Sequence, residues 1–275
     1  MKFIRKNLTT ILLIIIFTAG LSLLLYPTVS DWVNSMYASR AVVSYEDTVN
    51  RMSPEEYDQM IEGAKEYNSL LSKETYRFNP SDALHKKYEE TLNITEDGMM
   101  GILKIPSLRV NLPIYHGTDD SVLNTALGHI EGSSLPIGGQ GTHSVISGHR
   151  GLPSAKLLTD LDDLEEGDYF MIQSLDNLMT YQVDQISIVL PTDYSKLEIE
   201  DGKDYVTLMT CTPYGINSHR LMVRGHRVDN LPDDFINTRN EAMLIDSKLV
   251  ALFIAVPVLI GLFVWVMARG RKKKG

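Results

Sequence analysis

The chain has 275 residues, 22% of them charged and 44% apolar, with 26 basic against 35 acidic side chains and a formal net charge of −9. An acidic chain lacks the basic footprint from which nucleic-acid binding starts, which argues against nucleic acid as a partner. The single cysteine excludes a self-contained disulfide framework.

The charges are unevenly placed. Eight basic residues sit in the two chain ends, leaving 18 basic against all 35 acidic ones, or −17, in the middle. At the start, Lys2, Arg5 and Lys6 precede an apolar run, Leu8 to Tyr26, close to the roughly 20 residues a helix needs to span a bilayer core. A removed signal peptide has the same basic start and apolar middle. No small-residue processing site follows promptly, because Leu23, Leu24, Leu25, Tyr26 and Pro27 come next, so the run reads as an uncleaved signal anchor.

Residues 31–97 are rich in Glu, Tyr, Lys and Ser and read as one or two surface helices with a loop. Ser53-Pro54-Glu55-Glu56 is a helix-start signature, and Tyr57, Ile61 and Ala64 follow at helical spacing. From Gly98 the texture changes to short β-branched runs separated by Gly, Pro, Asp and Asn. The candidate strands are Gly101 to Ile105, Val110 to Ile114, His143 to Ile146, Tyr169 to Ile172, Thr180 to Val183, Ile186 to Leu190, Val206 to Thr210 and Leu221 to Arg224. About eight short strands in roughly 130 residues predict a closed or nearly closed β-barrel over residues 98–228.

The last two strands carry the chemistry. Cys211 ends one and Arg220 opens the next, with a Pro213-Tyr214-Gly215 turn signal between them, so antiparallel pairing would set the thiol beside a fixed cation. Such a neighbour favours thiolate over thiol, and its donors can hold the oxygen of a carbonyl under attack. A buried cysteine acting as a small apolar side chain is the plainer alternative. Among seven histidines, His149 is placed best as a base. It follows the strand-like Ser144 to Ser147 and lies between Gly148 and Arg150-Gly151, where glycines would leave room for a substrate backbone to approach. His143 shares strand parity with His149, but no further ligand residue falls at metal spacing around the pair, and no metal is expected.

After the barrel, residues 229–248 read as an acidic connector. Residues 249–268 form a second apolar run in which Pro257 and Gly261 are tolerable, and residues 269–275 form a basic tail with Arg269, Arg271, Lys272, Lys273 and Lys274. With basic residues outside both runs, the positive-inside rule puts both termini in the cytoplasm and residues of about 27 to 248 outside the cell membrane. Residues 1–30 then form the basic tail and first span. In that exterior compartment an unpaired cysteine needs an explanation.

The stretch Gly141 to Pro153, reading GTHSVISGHRGLP, together with Thr207 to Gly225, reading TLMTCTPYGINSHRLMVRG, resembles the class C, pilin-polymerising sortases of Gram-positive bacteria. The likeness runs from near Gly101 to Gly225 and takes in Gly128 to Pro136 and Leu190 to Asp193. The resemblance implies a mainly β fold, a closed eight-stranded sortase-type barrel with N-terminal helices between two transmembrane helices. It also implies a cysteine transpeptidase with no cofactor and with His149, Cys211 and Arg220 as its catalytic set. Cys211 would attack the Thr–Gly bond of an LPXTG-like sorting signal, and a lysine of the next pilin subunit would resolve the acyl enzyme. Class C sortases usually carry a lid with an Asp-Pro-aromatic motif, whereas the nearest stretch here is Tyr76-Arg77-Phe78-Asn79-Pro80-Ser81-Asp82. The lid candidates are therefore Phe78, Asn79, Pro80 and Asp82, and a loop without a plugging role is the competing expectation. Two other functions stay open: a sortase that joins surface proteins to the cell-wall peptide, and a tethered β-barrel adhesion or sensor module with a structural cysteine.

Overall fold

The computed structural model describes residues 2–231, 255–261 and 263–265. The chain divides into two compact units, Met1–Leu25 with Asn240–Gly275, and Tyr26–Arg239. In the first unit the apolar side chains of the N-terminal helix are largely exposed, with Leu8, Ile15, Ile16 and Leu23 among them. Exposed apolar side chains on a helix of this length are the pattern of a membrane anchor. Phe17 stacks on Phe263 at 4.2 Å between ring centroids. Within the expected span over 249–268, residues 255–261 and 263–265 are helical. The rest of that span, most of the 229–248 connector and the 269–275 tail lie outside the described residues.

Helix α1 (Lys2–Arg51) runs unbroken through Pro27. It is followed by α2 (Pro54–Leu71) and α3 (Asp82–Glu90). The start of α2 forms the capping box its sequence predicts. Glu56 N–H donates to Ser53 Oγ at 3.2 Å and Ser53 N–H donates to Glu56 Oε2 at 2.9 Å, satisfying two helix-end donors reciprocally. Ser81 caps α3 in a similar way through Leu84 N–H.

Eight strands close the barrel: β1 (Met99–Ile105), β2 (Val110–His116), β3 (Leu127–His129), β4 (Thr142–Ser147), β5 (Tyr169–Ser174), β6 (Asn177–Val189), β7 (Asp204–Thr212) and β8 (His219–Val228). Around the barrel they run β1-β2-β3-β4-β7-β8-β6-β5. Two neighbours, β2·β3 and β4·β7, are parallel; the other pairings are antiparallel. The expected number of strands is right, but two of the assignments are corrected. Thr180 to Val183 and Ile186 to Leu190 are one long strand, β6, whose register against β8 shifts between Val183 and Gln185. The remaining strand is the three-residue β3, which was not among the candidates.

Alternation along each strand separates an inner from an outer side. Ile146, Val206, Leu208, Leu221 and Val223 point inward and join one continuous core with Ile102, Leu103, Phe170 and Tyr181. The N-terminal helices belong to that core through Val42, Tyr45, Tyr67, Leu71 and Tyr88. Tyr45 is fully buried, and its hydroxyl donates to Met100 O at 3.2 Å while accepting from Leu175 N–H at 2.7 Å, which ties α1 to β1 and to the turn between β5 and β6. The outer side carries a second, smaller cluster of Val145, Leu197 and Met222, with Phe78, Ile130, Val189 and Met209 packed against it.

Candidate active site

The outer surface of β4, β7, β8 and β6 is laid out in rows by strand register. Cys211 lies directly across from Arg220, and Arg220 across from Val189. Side chains so paired on one side of a sheet stand about 4.5–5.5 Å apart at Cβ. The next row inward is Ser147, Met209, Met222 and Ser187, followed by Val145, Thr207, Arg224 and Gln185. On the parallel side the last registered pair is Ser147 with Met209. Two residues further along both chains come His149 and Cys211. Two hydrogen bonds carry the alignment beyond the strand: Gly148 N–H donates to Met209 O at 3.0 Å, and the buried Thr210 hydroxyl donates to Gly148 O at 2.8 Å. The three residues singled out from the sequence therefore end on one row at the lip of the barrel.

Cys211 is a free, half-buried thiol. Among the described residues neither it nor the His149 ring has a hydrogen-bond partner in the protein. Arg220 uses Nη1 on backbone carbonyls of its own turn, Asn217 O at 3.4 Å and His219 O at 3.2 Å, and among the described residues meets no carboxylate. A thiol, an imidazole and a guanidinium with donors to spare can attack a carbonyl, move a proton and hold an oxyanion.

The glycines beside His149 have a different use from the expected one. A Cβ on Gly148 would lie 2.6 Å from Leu127 Cδ2 and 2.8 Å from Leu158 Cγ; on Gly151, where φ is +77°, it would lie 2.8 Å from the Tyr214 ring. They make room for the protein's own side chains. Tyr214 projects from the β7–β8 turn, so the packing locks the His149 loop to that turn.

His143 does not join His149. It is fully buried three rows further in, with Nδ1–H donating to Glu198 O at 2.8 Å and Nε2 accepting from the Thr207 hydroxyl at 2.7 Å. Burial, with help from the nearby Arg224 and Arg77 charges, lowers its pKa to about 4. The ring is a neutral structural strut under the β6–β7 loop. Among the described residues no group of three His, Cys, Asp or Glu side chains is gathered as a metal-ligand set.

Of the lid candidates, Phe78 alone reaches the sheet. It packs on the Val145–Met222 cluster and stacks on Tyr194 of the β6–β7 loop with ring centroids 4.8 Å apart. Asn79 and Asp82 are exposed and Pro80 is half-buried. The anchor missed in the sequence is Arg77. Its buried guanidinium donates to Gly132 O at 3.3 Å, Leu197 O at 3.2 Å and Glu198 Oε2 at 3.1 Å, fixing the segment that presents Phe78. A groove of about 870 Å³ between α2 and the turn around Gly138 to Gly141 lies near the start of β7 and away from Cys211.

Comparison with known proteins agrees with this fold and layout. Residues 103–228 match the sortase domain. The crystal structure of sortase C1 from Streptococcus agalactiae is 49% identical and superposes with a TM-score of 0.68, covering 70% of this chain and all of that one. A Streptococcus pneumoniae sortase C, whose structure bears on catalysis and pilin substrate specificity, is 40% identical with a TM-score of 0.62, covering 70% of this chain and 99% of that one. Sortase D of Bacillus subtilis (strain 168) is 31% identical over 131 residues, 46% of this chain and 63% of that protein's length. The chain belongs to the sortase family of cysteine transpeptidases, and its structural relatives include sortases of class C.

Proposed function

We propose that this protein is a membrane-anchored class C sortase that cleaves an LPXTG-like sorting signal between Thr and Gly and joins the threonine to a lysine amine of another pilin subunit. The observation that carries the reading is the row of His149, Cys211 and Arg220, with thiol and imidazole unengaged among the described residues. Cys211 Sγ attacks the threonine carbonyl, and the Arg220 guanidinium holds the oxyanion that forms. The C–N bond breaks as His149 gives a proton to the departing glycine amine, leaving a thioester. The incoming lysine must first lose a proton, because its unperturbed pKa of about 10.4 leaves it charged at neutral pH. His149 takes that proton, the amine attacks the thioester, an isopeptide bond forms and the Cys211 thiolate departs. The outer-side cluster of Met209, Met222 and Val189 supplies an apolar floor beside the thiol for the sorting signal.

The basic residues flanking both apolar runs support a two-span topology with the barrel outside and both termini inside. The test of polymerase function is the acceptor. The purified protein given a sorting-signal peptide and a pilin domain should yield a covalent conjugate at one lysine, visible by mass spectrometry, and Lys→Arg at that position should remove it. Coupling only to a cell-wall stem-peptide amine would assign the wall-anchoring function instead.

A further inference from the structure

Backbone pairing between the His149 loop and β7 stops one residue short of the site. Gly148 is held by Met209 and Thr210, whereas His149 O accepts from Leu158 N–H at 3.2 Å, outside the sheet. The next connection to β7 is a side chain. Arg150 reaches back across the loop so that Nη1 donates to Thr212 Oγ1 at 3.4 Å, and Nη2 pairs with the Asp162 carboxylate. Thr212 is buried, and the Arg150 side chain is 11% exposed against 45% for Asp162. Among the described residues the Arg150 Nε is buried without a partner, so its two Nη contacts orient the group. Two side-chain contacts thus straddle the site: Thr210 to Gly148 on one flank, Arg150 to Thr212 on the other, with Cys211 and His149 between them.

We propose that Arg150 is a positioning residue that fixes the spacing of His149 from Cys211, with Thr212 as its target and Asp162 as its brace. The inference rests on the transpeptidase reading above. It needs arginine in particular, because the planar fork addresses a hydroxyl and a carboxylate in two fixed directions, whereas a lysine ammonium on a flexible stem holds neither direction. Displacement of a catalytic group by about 1 Å can cost as much as roughly 100-fold in rate.

The test compares Arg150→Lys and Thr212→Val with the wild-type protein, measuring kcat and KM for sorting-signal transfer, the pH dependence of Cys211 alkylation by iodoacetamide, and thermal unfolding. Arg150→Lys should lower kcat by about tenfold or more with KM within about threefold, and Thr212→Val should lower it by roughly threefold or more. Both should displace the alkylation profile along the pH axis. A folded Arg150→Lys protein with wild-type kcat and an unmoved profile overturns the proposal, as does a raised KM at constant kcat, which would make Arg150 a substrate contact. Should Arg150→Lys not fold, Thr212→Val decides by the same criteria. A wild-type protein inactive in transfer would refute the transpeptidase reading alone, since the alkylation profiles still report whether Arg150 sets the thiol's surroundings.

Discussion

Cys211 and Arg220 are direct cross-strand partners in the β7–β8 hairpin, so the thiol and the guanidinium are set by one register and move together. Replacing Cys211 with Ala should abolish peptide cleavage while leaving thermal unfolding close to wild type, because it removes one half-buried sulfur at a strand end. Arg220→Lys keeps the charge but loses the planar donors, and should lower kcat by about 100-fold or more, as for loss of an oxyanion donor. Steady-state kinetics on a sorting-signal peptide reads both, and near-normal turnover in Arg220→Lys would reduce its role to charge.

Gly148 should tolerate no side chain. With Leu127 and Leu158 within 3 Å of a Cβ, Gly148→Ala forces the His149 loop off the barrel, and the cost should be about 1–3 kcal/mol by chemical denaturation together with a drop in kcat. Unchanged stability would show that the two leucines can yield.

The N-terminal loop offers a contrast between two nearby residues. Phe78 packs on the cluster that includes Met209, one row from Cys211, whereas Asp82 is exposed at the start of α3. Phe78→Ala should therefore speed alkylation of Cys211 several-fold, while Asp82→Ala should change it by less than about twofold, well under the 1.4 kcal/mol of a tenfold effect. Equal rates in both variants would remove Phe78 from any covering role.

Two buried histidines give the fold an acid limit. His143 falls to about 4 and His129, fully buried, to about 3, both mainly through burial. Each is neutral in the folded state and takes a proton on unfolding below its ordinary value near 6.5. Their contribution is complete above that pH and is lost as pH falls toward the folded values, by up to about 1.4 kcal/mol per pH unit for each ring. His143→Gln should flatten the denaturation free energy between pH 6.5 and 4, and an unaltered slope would contradict the assignment.

How much of this could be read from the chain depends on sequence separation. Cys211 and Arg220 were legible because one hairpin sets their pairing. His149 was legible as a candidate from its strand and glycines, but its approach to Cys211 depends on the parallel β4·β7 pairing, which no local pattern encodes. β3 was invisible as an element because three residues show no alternation, and β6 was split because the irregularity after Val183 interrupts its period. Arg77 and Arg150 carry no local sign of burial, since their acceptors are backbone carbonyls and side chains far along the chain or across a loop.

In the proposed reaction Cys211 forms a thioester with the threonine of a sorting signal. The most direct measurement is intact-protein mass spectrometry after acid quenching of wild-type protein mixed with an LPXTG-type peptide, followed by proteolytic mapping of the adduct. The expected result is an added mass equal to the peptide truncated after threonine, mapped to Cys211, discharged by an added amine and absent from Cys211→Ala. Peptide cleavage that persists in Cys211→Ala, or an adduct mapping to any other residue, would contradict it.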